Sequence, residues 1–410
     1  MKKVLSLVLA LVMVFALVAC GNSGSSNGDS STTQPSSSGT TAPANTDSSS
    51  TPASSGDLTF KLGGTGPLTG GAAIYGLAVK QGAEIAVEEV NAMDGVHFDL
   101  RYEDDTHDPE KAVNAYNTLK GWGMQVSTSS VTSSPAEATS VEAYADRIFS
   151  ITPSASSTAT TAGKDNVYQM CFIDPAQGIM SAQTIARLNL GTKIAVIWKN
   201  DDVYSAGIHE TFLSEAAAQG LNIVSDTTFA DGPDTDFSVQ IGDAQSKGAD
   251  LVYLPMYYQP ASLIFAQAKA VGYSPAFFGV DGMDGILSME GFDKSLAENV
   301  YLLTPFNPWG TGEQNQNFVE KYKAKYGEEP NQFAADAYDC VYALKQALDN
   351  AGCTPDMSNE DICAAMIQQF TTMTFDGLTG TGATWDGATG RVSKNPLVVV
   401  IKGGIYVAAD

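Results

Sequence analysis

What most constrains this chain is a repeated change of hydrophobic period. From residue 57 onward, short runs with strand character alternate with longer runs at helical spacing. Leu58, Phe60 and Leu62 share one face of a strand predicted over residues 57–63. A Gly-rich turn follows over 63–71. Ile74, Leu77, Ala78, Ile85 and Val90 then repeat near 3.6 residues, predicting a helix over about 72–93. Residues 96–102 alternate as a second strand. Asp108-Pro109-Glu110 is a helix start, with an Asp cap and Pro at the first helical position. Ser134-Pro135-Ala136-Glu137 reads as a capping box, and 147–152 as the next strand.

A second series begins near Asp174. Residues 193–198 form a continuous apolar run of the buried parallel-strand type. Helices over 205–219, 236–247 and 260–270 then alternate with strands over 221–226, 251–254 and 276–279. Units of this length imply an α/β class with parallel sheets and right-handed crossovers. Two series imply two lobes. After a strand at 299–304 the pattern turns helical over about 313–326, 333–350 and 358–371. Residues 397–408 read as a β-hairpin turning at Gly403-Gly404.

The first 56 residues stand apart. Lys2 and Lys3 precede an apolar run over 4–18, the pattern of an export signal. The run is shorter than the ~20 residues of a membrane-spanning helix. Leu17-Val18-Ala19-Cys20 resembles the lipobox of bacterial lipoproteins. That implies removal of residues 1–19 and lipidation of Cys20; an ordinary secretory signal with a chance cysteine is the alternative. Residues 21–56 are more than half Ser and Thr, with too little apolar surface to offset ordering entropy. They are expected to be a disordered linker, a coil of ~36 residues spanning roughly 30–35 Å. The expected location is the outer face of a cell membrane, held by the lipid alone, in a bacterium with a single membrane.

The remaining stretch of roughly 350 residues is too long for one core, so two domains are expected. A formal charge of −24 repels phosphate backbones, so nucleic acid is not an expected partner. Besides Cys20 there are Cys171, Cys340, Cys353 and Cys363. Cys353 and Cys363 could close a short loop, although spacing alone assigns no pair. Cys340 falls in an apolar helical pattern and reads as a small buried hydrophobe.

Catalytic constellations are missing from the sequence. His97, His107 and His209 are the three histidines. His107 lies among Glu103, Asp104, Asp105 and Asp108. That cluster reads as a cation site or, preferably, as a solvated loop whose Asp108 caps a helix. No nucleophile elbow, zinc-protease helix or phosphate loop appears. No enzyme, cofactor or metal is expected.

What remains is a set of polar and aromatic residues after strands, where open α/β sheets bind ligands. Ser133 and Ser134 lead into a helix N-terminus, whose free N–H groups and dipole suit a carboxylate. Ser154 and Ser156 follow the 147–152 strand and could add hydroxyl or backbone bonds. Asp281 follows the 276–279 strand and could receive an ammonium. Tyr75, Tyr204 and Tyr257 follow strands of both series and could form apolar walls with a hydroxyl.

An ordered series of segments carries a family resemblance. Gly66-Pro67-Leu68-Thr69-Gly70, Tyr75-Gly76 and residues 82–91 resemble the branched-chain amino-acid-binding proteins of ABC importers. So do Asp104-Asp105, residues 108–113, Pro153-Ser154-Ala155-Ser156, residues 234–238, residues 321–327 and Ala337-Tyr338-Asp339. The resemblance implies a type I periplasmic-binding fold, two Rossmann-like lobes joined by a three-segment hinge. Lobe 1 would be 57–173 plus 303–381, and lobe 2 174–302 plus 382–410. Carried over, Ser133, Ser154 and Ser156 would hold the α-carboxylate and part of the ammonium. Asp281 would hold the ammonium with help from Tyr75, while Tyr204 and Tyr257 close over the ligand. Ser129-Ser130 replaces the Gly-Pro often found before the first binding serine, and Lys120-Gly121-Trp122-Gly123-Met124 is unusual. The acid at Asp281 varies in size within the family.

The expectation is a monomeric lipoprotein that captures a small aliphatic α-amino acid and delivers it to an ABC permease with its ATPase subunits. A sensor of the same fold coupled to a signalling partner, or a receptor for a small amide or other non-amino-acid solute, is the alternative.

Overall fold

Strand β1 (Thr59–Gly66) shows how composition shapes the first half of the molecule. Phe60 and Leu62 are buried in the core, and the strand runs on to Gly66, past the turn predicted from Gly63. The reason is steric. A Cβ at Gly64 would meet Tyr102 and Thr128, and one at Gly66 would meet Val131, so bare backbone lets neighbouring residues lie against the strand. The computed structural model describes residues 58–230 and 236–409. The signal run, Cys20 and the Ser/Thr-rich linker lie outside the described residues. Among the described residues no helix is long and apolar enough to cross a membrane.

Five parallel strands make the first sheet. After β1 come α1 (Ala73–Val90), β2 (His97–Asp104), α2 (Pro109–Trp122), β3 (Val126–Ser130), α3 (Ser133–Asp146), β4 (Phe149–Thr152) and β5 (Val167–Gln169). The strand order is β2-β1-β3-β4-β5. Asp108 caps α2 as predicted, accepting from the Lys111 N–H at 2.9 Å. The capping box at Ser134 does not form. Helix α3 starts at Ser133 behind Thr132, and Glu137 instead accepts from the Ser157 hydroxyl at 2.5 Å.

The chain then passes into a second sheet. It is built from α4 (Asp174–Leu188), β6 (Ile194–Lys199), α5 (Val203–Ala218), β7 (Ile223–Phe229), α6 (Ser238–Ser246), β8 (Leu251–Leu254), α7 (Tyr258–Ala270), β9 (Ala276–Gly279) and β10 (Tyr301–Thr304). Three helices return to the first sheet: α8 (Glu313–Tyr326), α9 (Gln332–Ala351) and α10 (Asn359–Phe370). A short hairpin, β11 (Phe375–Gly377) and β12 (Gly380–Ala383), follows. The chain ends on β13 (Leu397–Lys402) and β14 (Ile405–Ala408), the predicted hairpin, with Gly403 and Gly404 both at positive φ. These two strands lie antiparallel on the edge of the second sheet, whose order is β14-β13-β10-β9-β8-β6-β7.

Within the described residues the chain crosses between the sheets three times, over 170–173, 305–312 and 384–396. Strand β10 lies whole in the second sheet, so the boundary drawn at 302/303 from sequence falls inside it. Close helix packing rests on glycine. A Cβ on Gly82 of α1 would sit 2.0 Å from the Ala334 carbonyl of α9, and one on Gly178 of α4 2.5 Å from the Ile208 carbonyl of α5. At the third crossing the Lys394 ammonium meets Asp336 of α9 at 3.0 Å, with side chains only 3% and 2% exposed. All four cysteines from Cys171 to Cys363 are buried and unpaired, so Cys353 and Cys363 form no disulfide.

Candidate functional site

Both sheets reverse their winding at one point. In the first, the chain winds outward from β1 and β3 in opposite directions; in the second, β6 and β8 play the same part. A crevice opens at such a switch point, beyond the carboxyl ends of the two strands. Tyr75, Ser133 and Ser154 follow β1, β3 and β4, while Tyr204, Tyr257 and Asp281 follow β6, β8 and β9. These six line one narrow void together with Val131, Thr132, Gly282 and Phe333. Its volume is about 10 Å³, the scale of a single water molecule.

On the first-sheet side, the hydroxyl-bearing end of β3 is locked in place. Thr65 Oγ1 donates to Asp105 at 3.1 Å and bonds Ser130 Oγ at 2.6 Å. Burial pushes the Asp105 carboxyl up to about 6. The first turn of α3 starts directly after this anchored segment, where helix N–H groups and the dipole favour negative charge. Ser133 Oγ accepts from the Ser157 N–H at 3.3 Å, and Ser154 Oγ donates to the Val131 carbonyl.

On the opposite side stands Asp281, 3% exposed. Tyr204 Oη donates to its Oδ1 at 2.5 Å and accepts from the Gly282 N–H at 2.8 Å. Burial raises the Asp281 carboxyl to about 7, against the lowering pull of these hydrogen bonds. The same burial, with Asp281 beside it, holds the Tyr204 phenol well above its usual range, so it stays a neutral donor. Tyr75 spans the two sides: its hydroxyl donates to the Gly282 carbonyl and accepts from the Tyr258 N–H at 3.1 Å. Tyr204 stacks on Tyr257 at 4.8 Å, and Tyr75 sets its edge against Tyr257 at 5.2 Å. One end of the void is therefore electropositive through backbone groups, and the other carries a buried acid that accepts from the neutral Tyr204 hydroxyl.

The two remaining predicted residues sit elsewhere. Ser134 is half-buried on the first turn of α3 and Ser156 is buried beside Asp174; neither lines the void. Two glutamines escaped the sequence reading. Gln177 Oε1 accepts from the Asp281 N–H at 3.1 Å, and Gln332 Nε2 donates to the Asp281 carbonyl at 2.9 Å. They reach Asp281 from the starts of α4 and α9, and nothing in their local sequence marks them. Phe333, which packs on Tyr75 at 4.6 Å, was read as part of a helix only. His107 takes the loop reading rather than the cation reading: Asp108 caps α2, and His107 Nδ1 bonds Thr132 Oγ1 at 2.8 Å. His209 stacks on Trp198 at 4.0 Å beside Asp226. Among the described residues no three His, Cys, Asp or Glu side chains converge as a metal site.

Residues 59–404 match the family described as periplasmic binding protein. A curated relative, Leu/Ile/Val-binding protein homolog 3 of Brucella melitensis, is 28% identical over 72% of this chain and 80% of its own length. Among solved structures, the leucine-binding protein LivK of Thermotoga maritima superposes with a TM-score of 0.76 at 27% identity, covering 86% of this chain and 98% of that one. The branched-chain amino acid transporter substrate-binding protein LivJ of Streptococcus pneumoniae, in complex with isoleucine, gives 0.76 at 28% identity, covering 86% and 99%.

Proposed function

The chain belongs to the periplasmic binding protein family, and from that membership we propose that it captures an apolar α-amino acid between two lobes and hands it to an ABC importer. Lobe 1 is the first sheet with α1–α3 and α8–α10, and lobe 2 is the second sheet with α4–α7. One observation carries the reading: a helix N-terminus and a buried acid face a single void from opposite sheets. That arrangement complements a zwitterion, with its carboxylate on the first turn of α3 and its ammonium on Asp281. Ser133 adds a hydroxyl donor to the carboxylate, and Ser154, whose hydroxyl donates to the Val131 carbonyl, offers its backbone N–H. Ser134 supplies a first-turn N–H, and Ser156 supports the site from behind. Tyr75, Tyr204 and Tyr257 wall the aliphatic part. The relatives named for leucine, isoleucine and valine support an apolar side chain.

The work done is differential binding, with no covalent step. A ligand bridging both lobes favours the closed form, and moving the balance from 1:99 to 99:1 takes a preference of ~5.5 kcal/mol. A thermal-shift screen of the protein against amino acids, small amides and sugars tests this. A ligand at 100 times its Kd adds ~2.7 kcal/mol of stability. Response to leucine or isoleucine is expected; response to sugars alone would overturn the reading. Cys20 carries the lipid in this proposal, with residues 21–56 as the tether. Cys20→Ala is expected to release the protein from the membrane fraction.

A further inference from the structure

The acid of the site is gripped by its own backbone. The Asp281 N–H donates to Gln177 Oε1 at 3.1 Å, and its carbonyl accepts from Gln332 Nε2 at 2.9 Å and from the Asp284 N–H at 2.8 Å. The last bond closes the tight turn Asp281–Met283 onto a second buried acid. Asp284 is 1% exposed and does not line the void that Asp281 faces. Its carboxylate gathers four donors. Oδ1 accepts from the Gly285 N–H at 2.8 Å and the Tyr406 hydroxyl at 2.6 Å, and Oδ2 from the Gln332 N–H at 2.9 Å and the Thr304 hydroxyl at 3.3 Å. Burial pushes the Asp284 carboxyl up, and these donors pull it back. A protonated acid would turn a donor of its own toward them, so the arrangement is made for the charged form.

The donors come from separate parts of the chain. Gly285 follows the turn itself, Thr304 ends β10 at the second crossing, Tyr406 lies on β14, and Gln332 opens α9. Helix α9 packs on α1 of the first-sheet half, whereas β10 and β14 belong to the second sheet. Packing alone does not hold the turn. A cavity of about 340 Å³ lies behind it, with Asp284, Gly285, Asn331 and Tyr406 in its walls, so the turn has room to shift on that side. Resting on the amino-acid reading above, we propose that Asp284 is a positioning residue: its carboxylate fixes the start of α9 and the Asp281 turn to one another, and so aims the Asp281 carboxylate at the ligand's ammonium. Gln332 is the link. Asp284 holds its N–H while its side chain holds the Asp281 carbonyl, so releasing one loosens the other. The next residue, Phe333, packs on Tyr75 at 4.6 Å, and the Tyr75 hydroxyl donates to the Gly282 carbonyl. The start of α9 therefore reaches the turn by two routes.

Isothermal titration of the protein and its variants with leucine and isoleucine tests the proposal. Asp284→Asn keeps the shape of the side chain, but its amide nitrogen faces two donors whichever way it is turned. It is expected to weaken binding roughly thirtyfold. In an Asp281→Asn background, where no carboxylate remains to be aimed, the same change is expected to add no more than about threefold. A residue that only supports the fold costs the same factor in both backgrounds, and that result would overturn the inference. So would Asp284→Asn binding as tightly as the parent. Gln332→Met removes the bond to the Asp281 carbonyl while its backbone N–H stays on Asp284. It keeps the test decisive should Asp284→Asn not fold or the Asp281→Asn protein bind too weakly to read. Weakening of about fivefold is expected for it, and an unchanged Kd would overturn the inference. Parent binding with indifferent variants removes the role of Asp284 and leaves the amino-acid reading standing. Failure of the parent to bind any α-amino acid overturns that reading and the inference together.

Discussion

Asp281 concentrates the chemistry in one side chain. Its proton is held to about 7 by burial, whereas an unfolded aspartate releases it near ~3.9. Between those values the folded state binds the extra proton, so stability falls as pH rises through the window and levels off above it. Asp336, raised to about 6 at the third crossing, acts in the same sense. Glu84, Glu89 and Asp104, whose carboxyls are held low, act in the opposite sense at more acid pH. The ligand-free protein is therefore expected to melt higher at pH 5.5 than at pH 8, and Asp281→Asn to flatten part of that slope. Asparagine keeps an acceptor for Tyr204 but cannot pair with an ammonium. Its predicted cost is about 3 kcal/mol in binding, roughly a hundredfold in Kd. For the parent protein, affinity for an amino acid should fall about tenfold per pH unit below 7, because a proton competes for the carboxylate. Calorimetric titration and melting across pH read all four effects.

At the scale of elements, glycine placement separates two outcomes. Gly82→Ala puts a methyl on the Ala334 carbonyl and is expected to cost ~1–3 kcal/mol as α1 and α9 are forced apart. Gly242→Ala in α6, where no heavy atom lies within 4 Å of the added carbon, should instead stabilise by ~0.5–1 kcal/mol. Urea unfolding distinguishes the two. The same scale shows what was legible in the sequence. Helices with clear period and caps, such as α8 and the helix behind Asp108, were readable because their signals are local. Strand β3 was not. Its residues Val126–Ser130 are all buried, yet four of the five carry hydroxyls, so no hydrophobic period marks it. Partners distant in sequence satisfy those groups, Tyr102 for Thr128 at 2.6 Å and Thr139 for Ser130 at 2.9 Å. Ser129 also takes a positive φ of 55° beside a register shift against β1. The site divides the same way. Ser154 and Asp281 follow predicted strand ends and Ser133 leads into a predicted helix start, so all three could be read from order along the chain. Gln177 and Gln332 matter through their distance in space from Asp281, which a single sequence does not encode.

For the molecule as a whole, the three crossings set how the halves relate. Lys394 and Asp336 tie the third crossing to α9 with a buried ion pair. Lys394 also bonds Thr379, which donates to Asp339 at 2.5 Å. Lys394→Met strands a buried carboxylate and is expected to cost ~3–5 kcal/mol, whereas pairing it with Asp336→Leu should recover most of that loss. A double-mutant cycle by denaturant unfolding measures the difference. The interleaving has a further consequence for synthesis. Helix α9, mostly buried and packed on α1, begins some 160 residues after the first crossing would seem to finish its half. Neither half is contiguous along the polypeptide, so a nascent chain cannot complete one before beginning the other. Assembly of the first half must wait for the final quarter of translation, and the ribosome's order of delivery is decoupled from the order in which native contacts close.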